Sequence, residues 1–201
     1  MALLTGIYVI VNDTERAIEI GRAALDAGVR VIQYRAKNGV DARRLRALRS
    51  MTANAVLILD DDRHRAQQFG CDGVHLGPGD DGFEDPAVVR AVWPEAIIGI
   101  SCANDVEAKA AERRGADYLG VGAVYRTLSK DDAGEPIGID GLRHIAAATR
   151  LPVAAIGGIT AANLAEVRQS GVAMAAVISA VSEARNPREA AAQLVAMWAR
   201  V

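Results

Sequence analysis

Residues 68–76, QFGCDGVHL, contain the pattern that decides the fold class. A helical stretch ends on Gly70, a residue type suited to the left-handed position after a helix, and an apolar strand follows almost at once. The same device recurs at DAGVRV (26–31), RRGADYL (113–119) and QSGVAM (169–174). We interpret each of these segments as the junction between a helix and the next strand of a repeated βα unit.

Eight short apolar runs extend this pattern over the whole chain of 201 residues, at 7–11, 29–34, 55–59, 72–76, 96–100, 117–121, 151–156 and 174–179. Most are almost continuously apolar, as is typical of parallel strands covered on both faces. Helical patterns separate them, for example at 14–27, 41–51, 105–114, 141–149, 161–169 and 187–199. Right-handed crossovers between successive parallel strands close most naturally into a ring. The sequence therefore predicts an α/β fold, a single-domain (β/α)8 TIM barrel over residues 1–201.

An open doubly wound sheet is the alternative fold. The first strand is not followed by Gly-x-Gly-x-x-Gly, which weakens the dinucleotide-binding form of that fold. In a barrel, the active site is formed by the loops that follow the carboxyl end of each strand. The strand ends are therefore where we look for functional residues.

The charge balance narrows the class of partner. A net charge of −2 gives no overall basic field, so we expect neither nucleic acid nor a membrane surface as a partner. The first apolar run ends at Asn12, which is too short for a membrane span. Cys71 and Cys102 lie far apart, with neither metal-ligand spacing nor the paired pattern of a disulfide framework. We therefore expect reduced cysteines and a cytoplasmic protein.

The second strand ends in QYRAKNG, where Gln33, Arg35 and Lys37 occupy alternate positions. In an extended chain these three side chains would point to one side. A solvated strand end before a turn at Asn38 and Gly39 would explain the same residues. An Arg and a Lys side by side also suit a polyphosphate, because both are cations that bind phosphate oxygens.

Carboxylates follow the third and fourth strands, at Asp60–Asp62 and at Asp80 and Asp81. Mg²⁺ prefers oxygen ligands and is often held by one or two carboxylates together with substrate phosphates. Asp62 is the member of this set that we expect to cap the following helix instead. His75, inside the fourth strand, is predicted to be an interior histidine with its hydrogen bonds satisfied.

The remaining strand ends supply hydroxyls and glycines. Ser101 follows the fifth strand and has no partners that would make it a nucleophile, which favours a hydrogen bond to substrate. The loop after the sixth strand, between Arg126 and Gly138, has the length of a functional lid and carries Thr127, Ser129 and Lys130.

The last two strand ends form the place where many barrels bind phosphate. Gly157 and Gly158 would let backbone N–H groups approach an anion, and Thr160 could cap the next helix. Ile178 and Ser179 lie at the end of the eighth strand. The sequence thus predicts two anion-binding regions and two phosphorylated small-molecule substrates.

The motifs together resemble those of the thiamine-phosphate synthase family over nearly the whole chain. They are QYRAK, LDDD, GCDGVHLGPGD, IIGIS, GADYLGVGAVYRTLSK, AIGGI and VISAV, in this order and spacing. The resemblance implies a TIM-barrel transferase that joins 4-amino-2-methyl-5-pyrimidinylmethyl diphosphate to 4-methyl-5-(2-phosphoethyl)thiazole. Thiamine phosphate and pyrophosphate would be the products of this Mg²⁺-assisted, dissociative substitution.

The resemblance also implies roles for single residues. Gln33, Arg35, Lys37 and the residue at Asp60 would bind the pyrimidine diphosphate, Asp61 and Asp80 would ligate Mg²⁺, and Ser101 and Lys130 would contact the diphosphate. Thr127, Ser129, Gly158, Ile178 and Ser179 would bind the thiazole phosphate. Lys130, Arg35 and Ser101 are the expected catalytic residues, because they would stabilise the departing pyrophosphate.

Departures from the family pattern leave two other functions open. Asp60 stands where the family usually has Asn, Ala36 replaces an acidic residue, Pro78 replaces Gln, and Ser129 replaces Thr. A related thiazole tautomerase would need a base, and its histidine resembles the position of Ala103 here. A non-catalytic barrel that binds thiamine phosphates for regulation is the other alternative. The oligomeric state is left open, with a homo-oligomer among the options.

Overall fold

The computed structural model describes residues 4–127, 129 and 135–200. Its strands are β1 (Gly6–Asn12), β2 (Val31–Arg35), β3 (Val56–Asp60), β4 (Gly73–Leu76), β5 (Ile97–Cys102), β6 (Tyr118–Val121), β7 (Val153–Ile156) and β8 (Met174–Val177). Every strand pairs in parallel with its neighbour in the sequence, and β8 pairs with β1 to close the ring. The predicted (β/α)8 barrel is confirmed, and the open sheet is excluded by the pairing of β1 with β8.

Helices cover the outside of the barrel. They are α1 (Ala17–Asp26), α2 (Ala42–Met51), α3 (Arg63–Gln68), α4 (Ala87–Val92), α5 (Asp105–Arg113), α6 (Gly138–Ala147), α7 (Leu164–Gln169), α8 (Ser179–Ser182) and α9 (Pro187–Arg200). In the ranges that the structure describes, no helix is long and apolar enough to cross a membrane.

Alternation along each strand divides the apolar interior into two layers. In β1, Val9 and Val11 pack outward against the helices, whereas Tyr8 and Ile10 point into the barrel. Successive side chains of a strand point to opposite faces, so the strands contribute to both layers, except that the inward side chain of β4 is the polar His75. The inner layer is small, and the outer layer supplies most of the buried apolar side chains.

Several element boundaries differ by a few residues from those expected, and two of these differences concern residues predicted for the site. The eighth strand ends at Val177 rather than at residue 179, because Ile178 leaves the extended conformation (ψ −85°) and Ser179 begins the short helix α8. The seventh helix begins at Leu164 rather than at residue 161. The backbone N–H of Thr160 donates to Asn163 Oδ1 over 2.8 Å, which stabilises a turn before the helix. Thr160 therefore belongs to this turn and does not cap α7.

Candidate active site

A cavity of about 510 Å³ opens at the end of the barrel where the strands finish. All eight strands contribute to its wall, and the loops that follow them form its rim. This is the end of a (β/α)8 barrel at which active sites are built. The fold alone therefore marks this cavity as the candidate site.

The residues predicted from the strand ends come together around this one cavity. Its wall includes Gln33, Arg35, Lys37, Asp60, Asp61, Asp80, Ser101, Thr127, Ser129, Gly158, Ile178 and Ser179. Lys130 lies outside the described residues. The placement is what the sequence predicted, whereas the role of each residue stays a prediction.

Asp60 ends β3 and is the buried acid of the cavity, with only 8 % of its surface exposed. Its Oδ1 accepts a hydrogen bond of 2.5 Å from Gln33 Nε2. Its Oδ2 lies 3.5 Å from Arg35 Nε and 3.4 Å from Lys37 Nζ. Burial and the neighbouring charge of Asp61 raise the pKa of Asp60 to about 6, although the two cations oppose this shift. Arg35 and Lys37 are thus already partly neutralised by a protein carboxylate.

Asp61 and Asp80 face the cavity from neighbouring strand ends. Asp61 accepts a hydrogen bond of 2.6 Å from Lys37 Nζ, and Asp80 accepts one of 2.7 Å from the backbone N–H of Gly77. Burial raises the pKa of Asp80 above its usual value, and the charge of Asp61 and a hydrogen bond with it add to the shift. The two carboxyl groups are therefore neighbours in the wall of the cavity.

The backbone of Asp61 has an unusual conformation, with φ of 65°. This left-handed region is costly for a residue with a side chain, although Asp tolerates it better than most residues. The backbone N–H of Asp61 donates to His75 O over 2.9 Å, which ties the residue to β4. Asp62 follows as the helix cap, with its Oδ1 accepting from the N–H of Arg65 over 2.9 Å, as predicted.

The donor set at Asp61 and Asp80 fits magnesium better than a transition metal. The described residues include no group of three or more His, Cys, Asp or Glu side chains that could hold a metal ion. Two carboxylates leave room in an octahedral shell for water and phosphate oxygens, the arrangement typical of Mg²⁺ at phosphate substrates. Lys37 Nζ lies 2.6 Å from Asp61 Oδ2 and would share this carboxylate with such an ion.

The opposite side of the cavity carries the glycine pair predicted for an anion. Gly157 and Gly158 both have positive φ, at 103° and 64°. A Cβ atom on Gly158 would lie 2.6 Å from the carbonyl oxygen of Arg126, which is closer than real contacts. Asn163 Nδ2 donates to the carbonyl oxygen of Gly158 over 2.9 Å. These contacts fix the peptide backbone that faces the cavity.

The sequence did not predict that His75 and Tyr8 line the cavity, or that Tyr118 lies buried in contact with both. His75 is satisfied, as expected, because its Nδ1 lies 3.0 Å from Tyr118 Oη and its Nε2 lies 3.1 Å from Ser101 Oγ. It nevertheless also lines the cavity, as does Tyr8. Tyr8 and Tyr118 escaped notice because both occur inside apolar runs, where a tyrosine is indistinguishable from other core residues.

Comparison with known proteins gives a consistent result. The sequence profile of the family described as thiamine monophosphate synthase matches residues 7–181. The thiamine-phosphate synthase of Archaeoglobus fulgidus is 44% identical over 189 residues, which cover 90% of this chain and 87% of that protein. The thiamine-phosphate synthase of Moorella thermoacetica is 42% identical over 183 residues, 88% of this chain and 86% of that protein.

Solved structures extend the comparison to three dimensions. The thiamine phosphate pyrophosphorylase from Pyrococcus furiosus superposes with a TM-score of 0.88 at 38% identity, covering 98% of this chain and 96% of that one. A 3-hexulose-6-phosphate synthase superposes with a TM-score of 0.73 at 17% identity, over 95% of this chain and 99% of that one. The second likeness shows the shared barrel fold alone.

Proposed function

Because this chain belongs to the thiamine-phosphate synthase family, we propose that its cavity joins 4-amino-2-methyl-5-pyrimidinylmethyl diphosphate to 4-methyl-5-(2-phosphoethyl)thiazole. The products are thiamine phosphate and pyrophosphate, so the reaction is the transfer of a pyrimidinylmethyl group. The observation that carries this proposal is the division of one cavity between two polar regions. Arg35, Lys37, Asp61 and Asp80 line one region, and Gly158 and Ser179 line the other.

The first region suits the departure of pyrophosphate. In a dissociative reaction the bond between the methylene carbon and the diphosphate oxygen breaks first, and its electron pair leaves with the pyrophosphate. Arg35 and Lys37 line this region and would offset the charge that develops on the leaving oxygens, together with Ser101 and Lys130. No protein nucleophile is required, because the thiazole nitrogen supplies the new bond.

The second region suits the thiazole phosphate. Gly158, Ile178 and Ser179 approach from the ends of β7 and β8, and Thr127 and Ser129 approach from the loop after β6. Binding the phosphate here would hold the thiazole nitrogen in the cavity, where its lone pair can form the bond to the methylene carbon. Such positioning replaces a random encounter of two substrates with one fixed geometry.

Magnesium fits the remaining carboxylates. Held by Asp61 and Asp80, it would neutralise charge on the diphosphate and on the pyrophosphate that leaves. Lys37 Nζ donates to Asp61 Oδ2 over 2.6 Å, so its ammonium group would share this carboxylate with the ion while it lies beside the diphosphate region.

The experiment mixes purified protein with both substrates, with and without Mg²⁺, and measures thiamine phosphate and pyrophosphate. We expect equal amounts of the two products, formed only with the metal. Asp80→Asn should lose most activity, whereas Asp81→Asn should keep it, because Asp81 pairs with Arg63 on the surface. The absence of product under every condition would refute the proposed function.

A second assay separates the synthase from the tautomerase alternative. Ala103 lines the cavity with a methyl group, where a tautomerase would need a base. Conversion of thiazole carboxylate phosphate isomers without metal would favour the tautomerase. We also propose a cytoplasmic location, which the two buried free cysteines support because they suit a reducing compartment.

A further inference from the structure

A continuous chain of hydrogen bonds crosses the floor of the cavity and takes one side chain from each of six consecutive strands. The members, in spatial order, are Ser101 (β5), His75 (β4), Tyr118 (β6), Tyr8 (β1), Gln33 (β2) and Asp60 (β3). We call this set the floor chain. Its link from Tyr118 to Tyr8 spans the barrel past β7 and β8, which contribute Ala154 and Ala176 to the same inner layer.

Every link has the length of a hydrogen bond. The distances are 3.1 Å from Ser101 Oγ to His75 Nε2, 3.0 Å from His75 Nδ1 to Tyr118 Oη, 3.0 Å from Tyr118 Oη to Tyr8 Oη, 2.5 Å from Tyr8 Oη to Gln33 Oε1, and 2.5 Å from Gln33 Nε2 to Asp60 Oδ1. Two ends of the floor chain, Ser101 and Gln33 with Asp60, belong to the proposed pyrimidine diphosphate region.

The surrounding backbone makes room for the floor chain. Gly120 lies beside the His75 ring, and a Cβ atom there would come within 2.7 Å of its Cε1 atom. A Cβ atom on Gly99 would collide with both the Tyr118 ring and the His75 ring. Tyr8 and Tyr118 are almost completely buried. A buried hydroxyl without a hydrogen-bond partner would destabilise the fold by its full desolvation free energy, so both hydroxyls need their partners. The two glycines and the buried tyrosines therefore fix the positions of the side chains in the floor chain.

The donors and acceptors give the floor chain a single direction. The carboxylate of Asp60 accepts from the amide nitrogen of Gln33, so the amide oxygen of Gln33 faces Tyr8 and accepts its hydroxyl proton. Tyr8 has only one proton and must therefore accept from Tyr118. Tyr118 has then used its own proton and must accept from His75 Nδ1–H. A neutral imidazole with a proton on Nδ1 leaves Nε2 as the acceptor for Ser101 Oγ–H.

We propose that Tyr8, His75 and Tyr118 are positioning residues for the synthase reaction. Through this fixed order of donors and acceptors they orient the side chains of Gln33 and Ser101 at the pyrimidine diphosphate region. The floor chain holds His75 as the Nδ1–H tautomer, and Nε2 of that tautomer aims the Ser101 hydroxyl. Breaking the middle of the floor chain loosens both ends at once. This inference rests on the proposed function for its kinetic consequence, but the tautomer itself is a property of the protein without substrate.

The first test is therefore made without substrate. Protein labelled with ¹⁵N in its three histidines is studied by NMR at neutral pH, and the His75 signals are assigned with a His75→Asn variant. We expect Nδ1 to carry the proton and Nε2 to carry none. In Tyr118→Phe, Nδ1–H loses its acceptor, so the population should shift toward Nε2–H. A wild-type protein with Nε2–H, or with both nitrogens protonated, overturns the inference.

The second test is kinetic and uses matched tyrosine variants. Tyr118→Phe and Tyr8→Phe should each lower kcat/KM for the pyrimidine diphosphate by about tenfold, the effect of one lost buried hydrogen bond, and leave KM for the thiazole phosphate unchanged. Tyr34→Phe is the control, because Tyr34 is equally buried but packs in the outer layer. Equal losses in all three variants, or an equal rise in both KM values, would contradict the positioning role. Two tyrosine variants are used in case one of them does not fold. Because the NMR test needs no substrate, it shows whether the floor chain is correct even if the proposed function is wrong.

Discussion

The carboxylate of Asp60 lies 3.5 Å from Nε of Arg35, inside the region that we assign to a diphosphate. A protein anion therefore competes with the substrate for the same cation. The resemblance to the family leads us to expect Asn at this position, so Asp60 should weaken substrate binding. The buried acid, whose pKa is raised to about 6, is an unfavourable neighbour for a polyanion.

Asp60→Asn should improve binding of the pyrimidine diphosphate. The amide can still accept from Gln33 Nε2, but it no longer neutralises Arg35 and Lys37. We expect KM for this substrate to fall by roughly fivefold, which corresponds to about 1 kcal/mol. Steady-state kinetics at saturating thiazole phosphate measures this change. Asp140→Asn removes the same charge from an exposed site and should leave KM unaltered, whereas a higher KM in Asp60→Asn would contradict the explanation.

Lys37→Met should have opposite effects on the metal and the diphosphate. The ammonium group now shares Asp61 with any bound cation, so its removal should raise the affinity for Mg²⁺ alone by a few-fold. Affinity for the diphosphate should fall, because one of its cations is gone. Calorimetric titration with Mg²⁺ in the absence of substrate checks the first effect. Lys109→Met, which breaks the 2.8 Å pair with Asp105 on α5, is the control. Weaker Mg²⁺ binding in Lys37→Met would count against a metal site at Asp61.

Gly158→Ala should damage the thiazole phosphate side. The new methyl group would meet the carbonyl of Arg126 at 2.6 Å, in addition to the cost of a left-handed backbone for alanine, about 1 to 2 kcal/mol. We expect KM for the thiazole phosphate to rise at least tenfold, with KM for the pyrimidine diphosphate little changed. Gly171→Ala is the matched control, since Gly171 also has positive φ (90°) but has open space around it. The control should lose stability in urea unfolding without a change in KM, and equal KM values in both variants would disprove the steric argument.

Both cysteines should resist alkylation in the folded protein. Burial raises the pKa of the Cys71 thiol and of the Cys102 thiol to about 12. At pH 8 a pKa near 12 leaves about one ten-thousandth of the group as thiolate, against roughly a quarter for an ordinary cysteine. Iodoacetamide should therefore modify neither thiol over an hour in buffer and both in urea, as measured by mass spectrometry. The Cys102→Ser variant shows which mass shift belongs to which cysteine. Rapid modification of the native protein would contradict the burial of the two thiols.

The sequence predicted the strands well because each one is an apolar run, and a helix that ends on a glycine precedes β2, β4, β6 and β8. The carboxylates and cations at strand ends were also predictable, since the barrel brings consecutive strand ends to one rim. Asp62 as a helix cap followed from its position alone. These features depend on residues that are close together in the chain or on the repeated order of the elements.

Other features depend on contacts that no local pattern encodes. The bond between Tyr8 and Tyr118 joins residues that are 110 positions apart, and only the curvature of the closed barrel brings their hydroxyls together. The left-handed backbone of Asp61 depends on its tie to β4. Helix α8 has four residues, which is too short for a period to emerge. The sequence could therefore predict the strand-end residues that surround the cavity, but neither the inward side chains below them nor the hydrogen bonds between them.

The two layers of the barrel also limit how this protein can evolve. Leu59 and Asp60 are neighbours in β3, yet Leu59 packs against the helices and Asp60 reaches the cavity. Deleting one residue within a strand would exchange these two destinations for the rest of the strand, so packing and chemistry would be lost together. We therefore expect insertions and deletions to be tolerated in the connecting loops rather than in the strands. A new substrate preference would then arise through substitutions at inward positions or through changed loops.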